Sequence, residues 1–458
     1  MSNYPNSIYT PRTKANRNGV VYDANKQTVI FVEDLEKGDD ESVAIETELG
    51  LNPKEDFDSV ADRIKGIVEL PSTRLNDFDY DKFTNYLKSI HQKNKNIEFA
   101  VNNFLNNATV SALGYTGGVY SPVKNRIYLI PSAQATQTNW HYIDCVTGEV
   151  VAYAHGATAV SGAYYGGIYS PTQERIYFIP SAQANQTNWH YINTRTGEVV
   201  AYAHGATAVF NAYHGGVYSP IQNRIYLMPF KQANQTNWHY IDCETGNVVA
   251  YAHGATVVVD GYFGGIYSPT QNRIYLGPYS QADQTNWHYI DCETGNVVAY
   301  AHGATVEGAG YISGVYSPTQ NRIYLIPFHQ ANQMNWHYID CETGDVVAYA
   351  HGATVVVDGY FSGAYSPAQN RIFFAPYGQA DEDDWHYIDC NTGDVVEYTH
   401  GITAVDLAYM GGIYSPTQNR IYFMPYSQSD ETKWALIQEF SQAEIPPSIG
   451  ACTLFNKF

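Results

Sequence analysis

Residues 264–305 read GGIYSPTQNRIYLGPYSQADQTNWHYIDCETGNVVAYAHGAT, and close copies of this unit fill most of the 458-residue chain. A tryptophan marks the same place in each copy, and successive tryptophans are 49 residues apart without an insertion. They are Trp140, Trp189, Trp238, Trp287, Trp336, Trp385 and Trp434. A period of this length is typical of propeller blades and not of helical solenoids.

Each unit contains four short apolar or aromatic runs, as in GGIYS, RIYLGP, NWHYID and VVAYA. Turn-forming residues separate them, as in SPTQN, QADQT and ETGN. Four strands per repeat is the arrangement of a propeller blade. Seven repeats therefore predict an all-β, seven-bladed β-propeller.

The seventh repeat lacks its fourth strand, because residues 433–437 are followed by QEFSQAEIPPS and not by a TGxVVAY segment. One period before Val150–Thr158 lies Val101–Thr109, which keeps the same register and the same Ala-Thr ending. We expect residues near Ile97–Leu105 to complete the seventh blade and so to remove an exposed sheet edge. The predicted domains are residues 1–95, 96–443 and a tail of 444–458.

The repeat resembles the YVTN-type propellers, whose unit also contains a Ser-Pro turn, an Arg/Lys-x-Tyr strand, an Ile-Asp strand end and a Thr-Gly turn. The matching residues are Ser219-Pro220, Arg224-Ile225-Tyr226, Ile241-Asp242 and Thr245-Gly246. This resemblance implies the fold only, since such propellers have unrelated functions.

Residues 1–95 lack the repeat and show the pattern of three short amphipathic helices, too small to bury much surface alone. The runs Phe31–Leu35, Ala44–Gly50, Asn52-Pro53 and Ser59–Ile64 resemble the N-terminal module of tailed-bacteriophage fibre and minor structural proteins. The resemblance implies a small α-helical (α+β) module that attaches to other virion proteins. Because the helices are too small to bury much surface alone, we also expect a homo-oligomer. Its expected attachment residues are Phe31, Leu35, Ile45, Leu49, Val60 and Ile64.

Charge and composition exclude several classes of function. The chain has 25 basic and 45 acidic residues and no basic cluster, which argues against nucleic acid as a partner. The first twenty residues contain no apolar run of signal-peptide length, and no later stretch approaches a membrane span, so we expect neither Sec export nor membrane insertion. Five of the six cysteines occupy one register of successive repeats, which predicts separated, reduced thiols.

Neither catalysis nor a cofactor is expected. Twelve of the fifteen histidines are periodic, and equivalent positions in successive blades diverge too far to share a metal ion. The periodic arginines at the start of each second strand could line an anion site, but charges in every copy favour pairs within a blade. The inner strand GGIYSP offers no ring of acids or bases, so we predict a protein without enzymatic activity.

Two links vary between copies: the one from the fourth strand to the next first strand, and the one from the second to the third strand. Both lie on the same side of a propeller, the variable face, whereas the nearly constant SPTQN and ETGN turns lie on the other side. Variable loops on a constant scaffold indicate a binding surface.

A tyrosine ends the first of these links in every copy, and a different residue follows it. Aromatic rings beside Gln, Asn and Asp suit stacking on sugars; alternatively, the tyrosines pack the top of the core. The candidate ligand residues are Tyr115, Tyr164, Tyr165, Tyr213, His214, Tyr262, Phe263, Tyr311, Tyr360, Phe361 and Tyr409. Thr116, Ile312 and Met410 complete the series of following residues.

Together these patterns predict a bacteriophage virion protein, a head or tail fibre or adhesin assembled in the host cytoplasm. Its propeller would bind a host-surface receptor, a glycan in our interpretation. One alternative is a soluble cellular lectin or scaffold propeller, also without enzymatic activity. Another is a propeller hydrolase or lyase, which would need a cluster of acids at one mouth of the channel.

Overall fold

The computed structural model describes residues 99–428 and 431–439, and almost all of this part is β-structure. In chain order the strands are β1 (Phe99–Leu105), β2 (Tyr115–Ser121), β3 (Arg126–Pro131), β4 (Asn139–Asp144), β5 (Val150–Ala154), β6 (Tyr164–Ser170), β7 (Arg175–Pro180), β8 (Asn188–Asn193), β9 (Val199–Ala203), β10 (Tyr213–Ser219), β11 (Arg224–Pro229), β12 (Asn237–Asp242), β13 (Val248–Ala252), β14 (Tyr262–Ser268), β15 (Arg273–Pro278), β16 (Asn286–Asp291), β17 (Val297–Ala301), β18 (Tyr311–Ser317), β19 (Arg322–Pro327), β20 (Asn335–Asp340), β21 (Val346–Ala350), β22 (Tyr360–Ser366), β23 (Arg371–Pro376), β24 (Asp384–Asp389), β25 (Val395–Thr399), β26 (Tyr409–Ser415), β27 (Arg420–Pro425) and β28 (Lys433–Glu439). Two short 3₁₀ turns, Ala133–Thr136 and Ala182–Asn185, follow β3 and β7.

These strands form seven four-stranded sheets, one per repeat, which we number blades 1 to 7 in the order of their tryptophans. Blade 1 is β2-β3-β4-β5, and its neighbouring strands pair antiparallel. The first strands of successive blades contact each other around a ring, from β2 and β6 through to β26 and β2. The predicted all-β, seven-bladed β-propeller is confirmed.

Blade 7 has the order β26-β27-β28-β1, so its outermost strand comes from the beginning of the repeat region. The backbone N–H of Asn106 donates to the carbonyl oxygen of Thr432 (3.1 Å), and the Asn106 side chain donates to Glu431 (2.8 Å). Phe104 of β1 packs edge-on against Trp434, with 6.0 Å between ring centroids. Strands from both ends of the repeat region therefore close the ring.

The core consists of apolar layers between neighbouring blades. Trp140 of blade 1 meets Phe178 of blade 2 at a centroid distance of 5.4 Å and contacts Tyr164 beside it. All seven tryptophans are fully buried in such layers. Because every blade has the same sequence pattern, each interface repeats the previous one.

The constant face is held by polar contacts within and between blades. In blades 1 to 6 the guanidinium at the start of the second strand lies over a third-strand tyrosine ring, as Arg224 does over Tyr240 at 4.3 Å. The Thr417 hydroxyl donates to Asn125 Oδ1 (2.7 Å) and links blade 7 to blade 1. In these six blades the periodic arginine thus packs against an aromatic ring of its own blade.

The predicted N-terminal helices, residues 1–95, and the tail, 444–458, lie outside the described residues. In the described part no helix is long and apolar enough to cross a membrane. The five periodic cysteines of that part are free and buried.

Candidate functional site

The seven first-strand tyrosines lie in the core and not on the variable face. Each is at most 1% exposed. In blades 1 to 6 the hydroxyl forms a hydrogen bond with Nδ1 of the histidine that follows the blade tryptophan, at 2.5 Å from Tyr115 to His141. In blade 7, Tyr409 instead accepts a hydrogen bond from the Ala435 backbone N–H (3.1 Å). Of the two interpretations of these tyrosines, burial supports core packing.

The residues that follow these tyrosines converge on the propeller axis. A β-bulge lies between each tyrosine and the regular part of its strand: Tyr213 pairs with Pro229, and regular pairing resumes at Gly216. A bulge redirects the side chains at its position. The resulting cluster, the axial plug, consists of Thr116, Tyr165, His214, Phe263, Ile312, Phe361 and Met410.

Contacts between blades that are not neighbours show that the plug fills the axis. Phe263 of blade 4 and Phe361 of blade 6 have ring centroids 5.4 Å apart. The Tyr165 hydroxyl of blade 2 lies 3.8 Å from the Met410 sulfur of blade 7. Desolvation holds the Tyr165 pKa well above its ordinary value, so this phenol is neutral.

The next residue along each inner strand is small: Gly117, Gly166, Gly215, Gly264, Ser313, Ser362 and Gly411. The inner backbones approach so closely here that a Cβ on Gly166 would lie 3.6 Å from the Gly215 Cα. Together with the axial plug, five of these small residues line a pocket of about 140 Å³: Gly166, Gly215, Gly264, Ser313 and Ser362.

A second set of aromatic side chains lies against the plug. It comes from the residue after the proline that ends each second strand, which is serine in blades 1 and 2 (Ser132 and Ser181) and aromatic in the other five. We call the five half-buried rings the aromatic crescent: Phe230, Tyr279, Phe328, Tyr377 and Tyr426. Successive centroids are 6.0, 6.3, 6.2 and 6.1 Å apart.

Side chains of the axial plug pack against the rings of the crescent. Phe263 lies 5.5 Å from Phe230 and 5.4 Å from Tyr279, and Phe361 lies 5.2 Å from Tyr377, measured between centroids. These contacts restrict the motion of the crescent rings, and restricted groups lose less entropy when they bind a ligand.

His214 lies between the crescent and blade 2, where Ser181 replaces an aromatic residue. Its ring stacks between Tyr165 (4.1 Å) and Phe230 (3.9 Å). Its Nε2 lies 3.1 Å from Ser181 Oγ, which in turn donates to Asn211 Oδ1 (3.3 Å). Desolvation, and to a smaller extent the Lys231 charge, lowers the His214 pKa to about 3, so the imidazole is neutral and acts as a packing group.

Aspartates border the crescent. Asp260 forms an ion pair with Lys231 (2.8 Å), and the Asp358 carboxylate lies 3.1 Å from Nε2 of His329. Desolvation raises the Asp358 pKa, with His329 opposing this and Asp406 adding to it. Desolvation and then the neighbouring Tyr426, Asp358 and Asp406 raise the Tyr377 pKa to about 12.

The glutamines of the second-to-third-strand links have a structural role. Gln232 accepts a hydrogen bond from the Val209 N–H (3.0 Å) and donates to the Asn237 carbonyl (2.9 Å), so it ties two links together. It is 3% exposed. The sequence predicted these glutamines as sugar contacts beside the tyrosine rings. In the structure their side chains are hydrogen-bonded to the protein backbone.

Of the predicted ligand residues, only those in the axial plug come together at the axis: Tyr165, His214, Phe263 and Phe361. The aromatic crescent was missed, although the variable motifs PSAQ, PFKQ and PYSQ carried its signal. The expected attachment residues, Phe31, Leu35, Ile45, Leu49, Val60 and Ile64, lie outside the described residues. Within 99–428 and 431–439, no group of three His, Cys, Asp or Glu side chains is placed to hold a metal ion.

Comparison with solved structures identifies the fold. The crystal structure of the extracellular domain of a B. thetaiotaomicron protein, described as a one-component system, superposes with a TM-score of 0.51 at 8% identity. The match covers 72% of this chain and 42% of that one, so the chain spans less than half of its length. The likeness is one of fold alone. No family model matches the chain, and no curated protein matches its sequence.

Proposed function

We propose that the protein is a non-enzymatic adhesin of a bacteriophage virion, whose propeller binds a glycan on the host surface through the aromatic crescent. The observation that carries the glycan proposal is the crescent itself: five adjacent, half-exposed rings on the face whose loops vary between repeats. Such a surface on a rigid scaffold is a common form of ligand site.

The chemistry of the crescent suits a sugar. Ring faces pack against the C–H groups of a saccharide, while the phenol groups of Tyr279, Tyr377 and Tyr426 can donate to or accept from its hydroxyls. Asp358 and Asp406 offer further acceptors at the border.

A glycan array probed with the full chain, followed by titration of the best binder, tests this proposal. Exchange of Tyr279 and Tyr377 together for alanine should weaken binding at least tenfold, about 1.4 kcal/mol. The matched control is Phe210→Ala, which removes an aromatic ring that is 56% exposed on the same face but outside the crescent. Equal affinity of wild type and the double variant, with both folded, would refute a crescent site.

The virion role is supported by the resemblance of residues 31–64 to phage attachment modules. Those residues would hold the protein on the particle, in the head or in the tail, and the propeller would project from it. Mass spectrometry of purified particles tests the location, and deletion of residues 1–95 tests the attachment. Incorporation of the shortened chain at the normal level would contradict the attachment role.

A further inference from the structure

Aromatic rings and carboxylates alternate along the crescent. Asp358 lies between Phe328 and Tyr377: its N–H donates to the Phe328 carbonyl (3.3 Å), and its own carbonyl accepts from Gly378, the residue after Tyr377 (3.0 Å). The backbone thus fixes an acid between two neighbouring rings.

Asp260 occupies the equivalent position between Phe230 and Tyr279. Its carbonyl accepts from the N–H of Ser280, which follows Tyr279 (3.2 Å), and its carboxylate binds Lys231, which follows Phe230. Both aspartates have left-handed backbone angles, with φ of 58° at Asp260 and 60° at Asp358.

A third acid lies between Tyr377 and Tyr426. Asp406 precedes Leu407, whose N–H donates to the Tyr377 carbonyl (3.0 Å) and whose carbonyl accepts from the residue after Tyr426, Ser427 (3.3 Å). Three of the four intervals in the crescent therefore contain an aspartate; the fourth has Ala309 at the position of Asp260 and Asp358, two residues after an exposed acid, Glu307.

The rest of the ring lacks this pattern. The equivalent intervals beside Ser132 and Ser181 contain Leu113, Gly162 and Asn211. The acids thus occur only where the aromatic rings occur, although each interval is built on the same backbone. This co-occurrence marks the crescent as one composite surface and not as a scatter of solvent-facing charges.

Basic side chains only partly offset the carboxylates. Lys231 pairs with Asp260, and His329 pairs with Asp358 when it is protonated. Asp406 is exposed and forms no ion pair with any residue in the described ranges. The crescent therefore presents aromatic faces together with excess negative charge, which complements a cation.

We infer that the crescent recognises an ammonium group on its glycan, that is, a sugar whose amine is not acetylated. The ammonium lies against the faces of Tyr377 and its neighbours, where cation–π attraction adds to hydrogen bonds with Asp358 and Asp406. This inference rests on the proposed glycan-binding function and narrows it from saccharides in general to amino sugars.

Calorimetric titration of the full chain with a glucosamine hexasaccharide and with its N-acetylated counterpart tests the inference, at a pH where the free amines are protonated. The free-amine oligomer should bind at least tenfold tighter, and added salt should reduce this difference because it screens exposed charges. The Asp358→Asn/Asp406→Asn variant, which preserves side-chain shape, should lose about tenfold in affinity for the free-amine oligomer and less than twofold for the acetylated one.

The charge-matched control is Glu244→Gln/Glu293→Gln, which removes two exposed carboxylates from the turns of the constant face. It should change the affinity less than twofold. An equal loss in the control and test variants would assign the effect to general charge and overturn the inference.

Absence of binding to the free-amine oligomer, or equal affinity for both oligomers, would also overturn it. The proposed function would survive that result if an array-selected neutral glycan lost affinity on exchange of Tyr279 and Tyr377 for alanine. Loss of the inference and of the function can therefore be told apart.

Discussion

The indole of Trp140 stacks on the imidazole of His155, with 3.9 Å between ring centroids and 5° between planes. His155 Nδ1 accepts from the Ala157 N–H (3.1 Å), so its Nε2 is the atom that donates to the Gln137 carbonyl (2.6 Å). Acceptance at Nδ1 requires the neutral ring. The same arrangement recurs in blades 2 to 6.

A second periodic set of histidines is also held neutral by the fold, so acid should destabilise the propeller before it protonates most carboxylates. Desolvation lowers the pKa to about 4 in the six histidines that follow tryptophans: His141, His190, His239, His288, His337 and His386. Because the unfolded chain takes up these protons near pH 6.5, the free energy of unfolding is highest above that pH and falls as pH drops towards 4. Each such histidine accounts for at most about 3 kcal/mol of this fall in the free energy of unfolding.

Urea unfolding at a series of pH values measures this effect. Glu439 acts in the opposite direction, because desolvation raises its pKa to about 7, but it is one group against six. A free energy of unfolding that stays constant or rises between pH 6.5 and 4 would contradict the prediction. His329→Gln, a change at a half-exposed histidine, should leave the profile nearly unchanged.

Removal of one core tyrosine hydroxyl should reduce stability without affecting ligand binding. Tyr213→Phe leaves Nδ1 of the buried His239 without its partner, which costs about 1–3 kcal/mol. The comparison is Tyr279→Phe in the crescent, where solvent can replace the lost contact and the cost should stay below about 0.5 kcal/mol. Reduced glycan affinity of a folded Tyr213→Phe protein would contradict its assignment to the core.

Because the inner strands approach each other closely, substitution of Gly215 should reduce stability more than substitution of Gly254, another glycine with left-handed backbone. Gly215 (φ 95°) and Gly254 (φ 66°) both disfavour a side chain, but a Cβ on Gly215 would lie 3.2 Å from the Phe263 carbonyl oxygen, whereas Gly254 faces open space. Gly254→Ala should cost about 1 kcal/mol. Gly215→Ala should cost clearly more in thermal or urea unfolding, and equal costs would show that the inner strands move apart easily.

The tryptophan period predicted the fold because a propeller needs one equivalent interface per blade, and Trp140 to Trp434 provide it. The site was harder to predict. Tyrosine suits both a core and a ligand surface, and the sequence does not show the bulge that buries Tyr262 and directs Phe263 to the axis. The alternation of Tyr377 with Asp358 and Asp406 depends on links that meet only when blades stand side by side, so no local pattern reveals it.

Closure of the ring by β1 gives a last prediction. Without β1, the outer side of β28 loses its partner strand, and the contacts of Phe104 with Tyr422 and Trp434 are lost. A chain that begins at residue 106 should therefore unfold at a lower urea concentration than one that begins at residue 96. Its free energy of unfolding should be lower by several kcal/mol, because a large aromatic contact and a strand pairing disappear together. It should also aggregate more readily through the exposed edge.

Phe104→Ala in the full chain isolates the packing contribution, expected at about 3 kcal/mol. Equal stability of the two shortened chains would show that three strands suffice for blade 7 and that β1 adds nothing to closure.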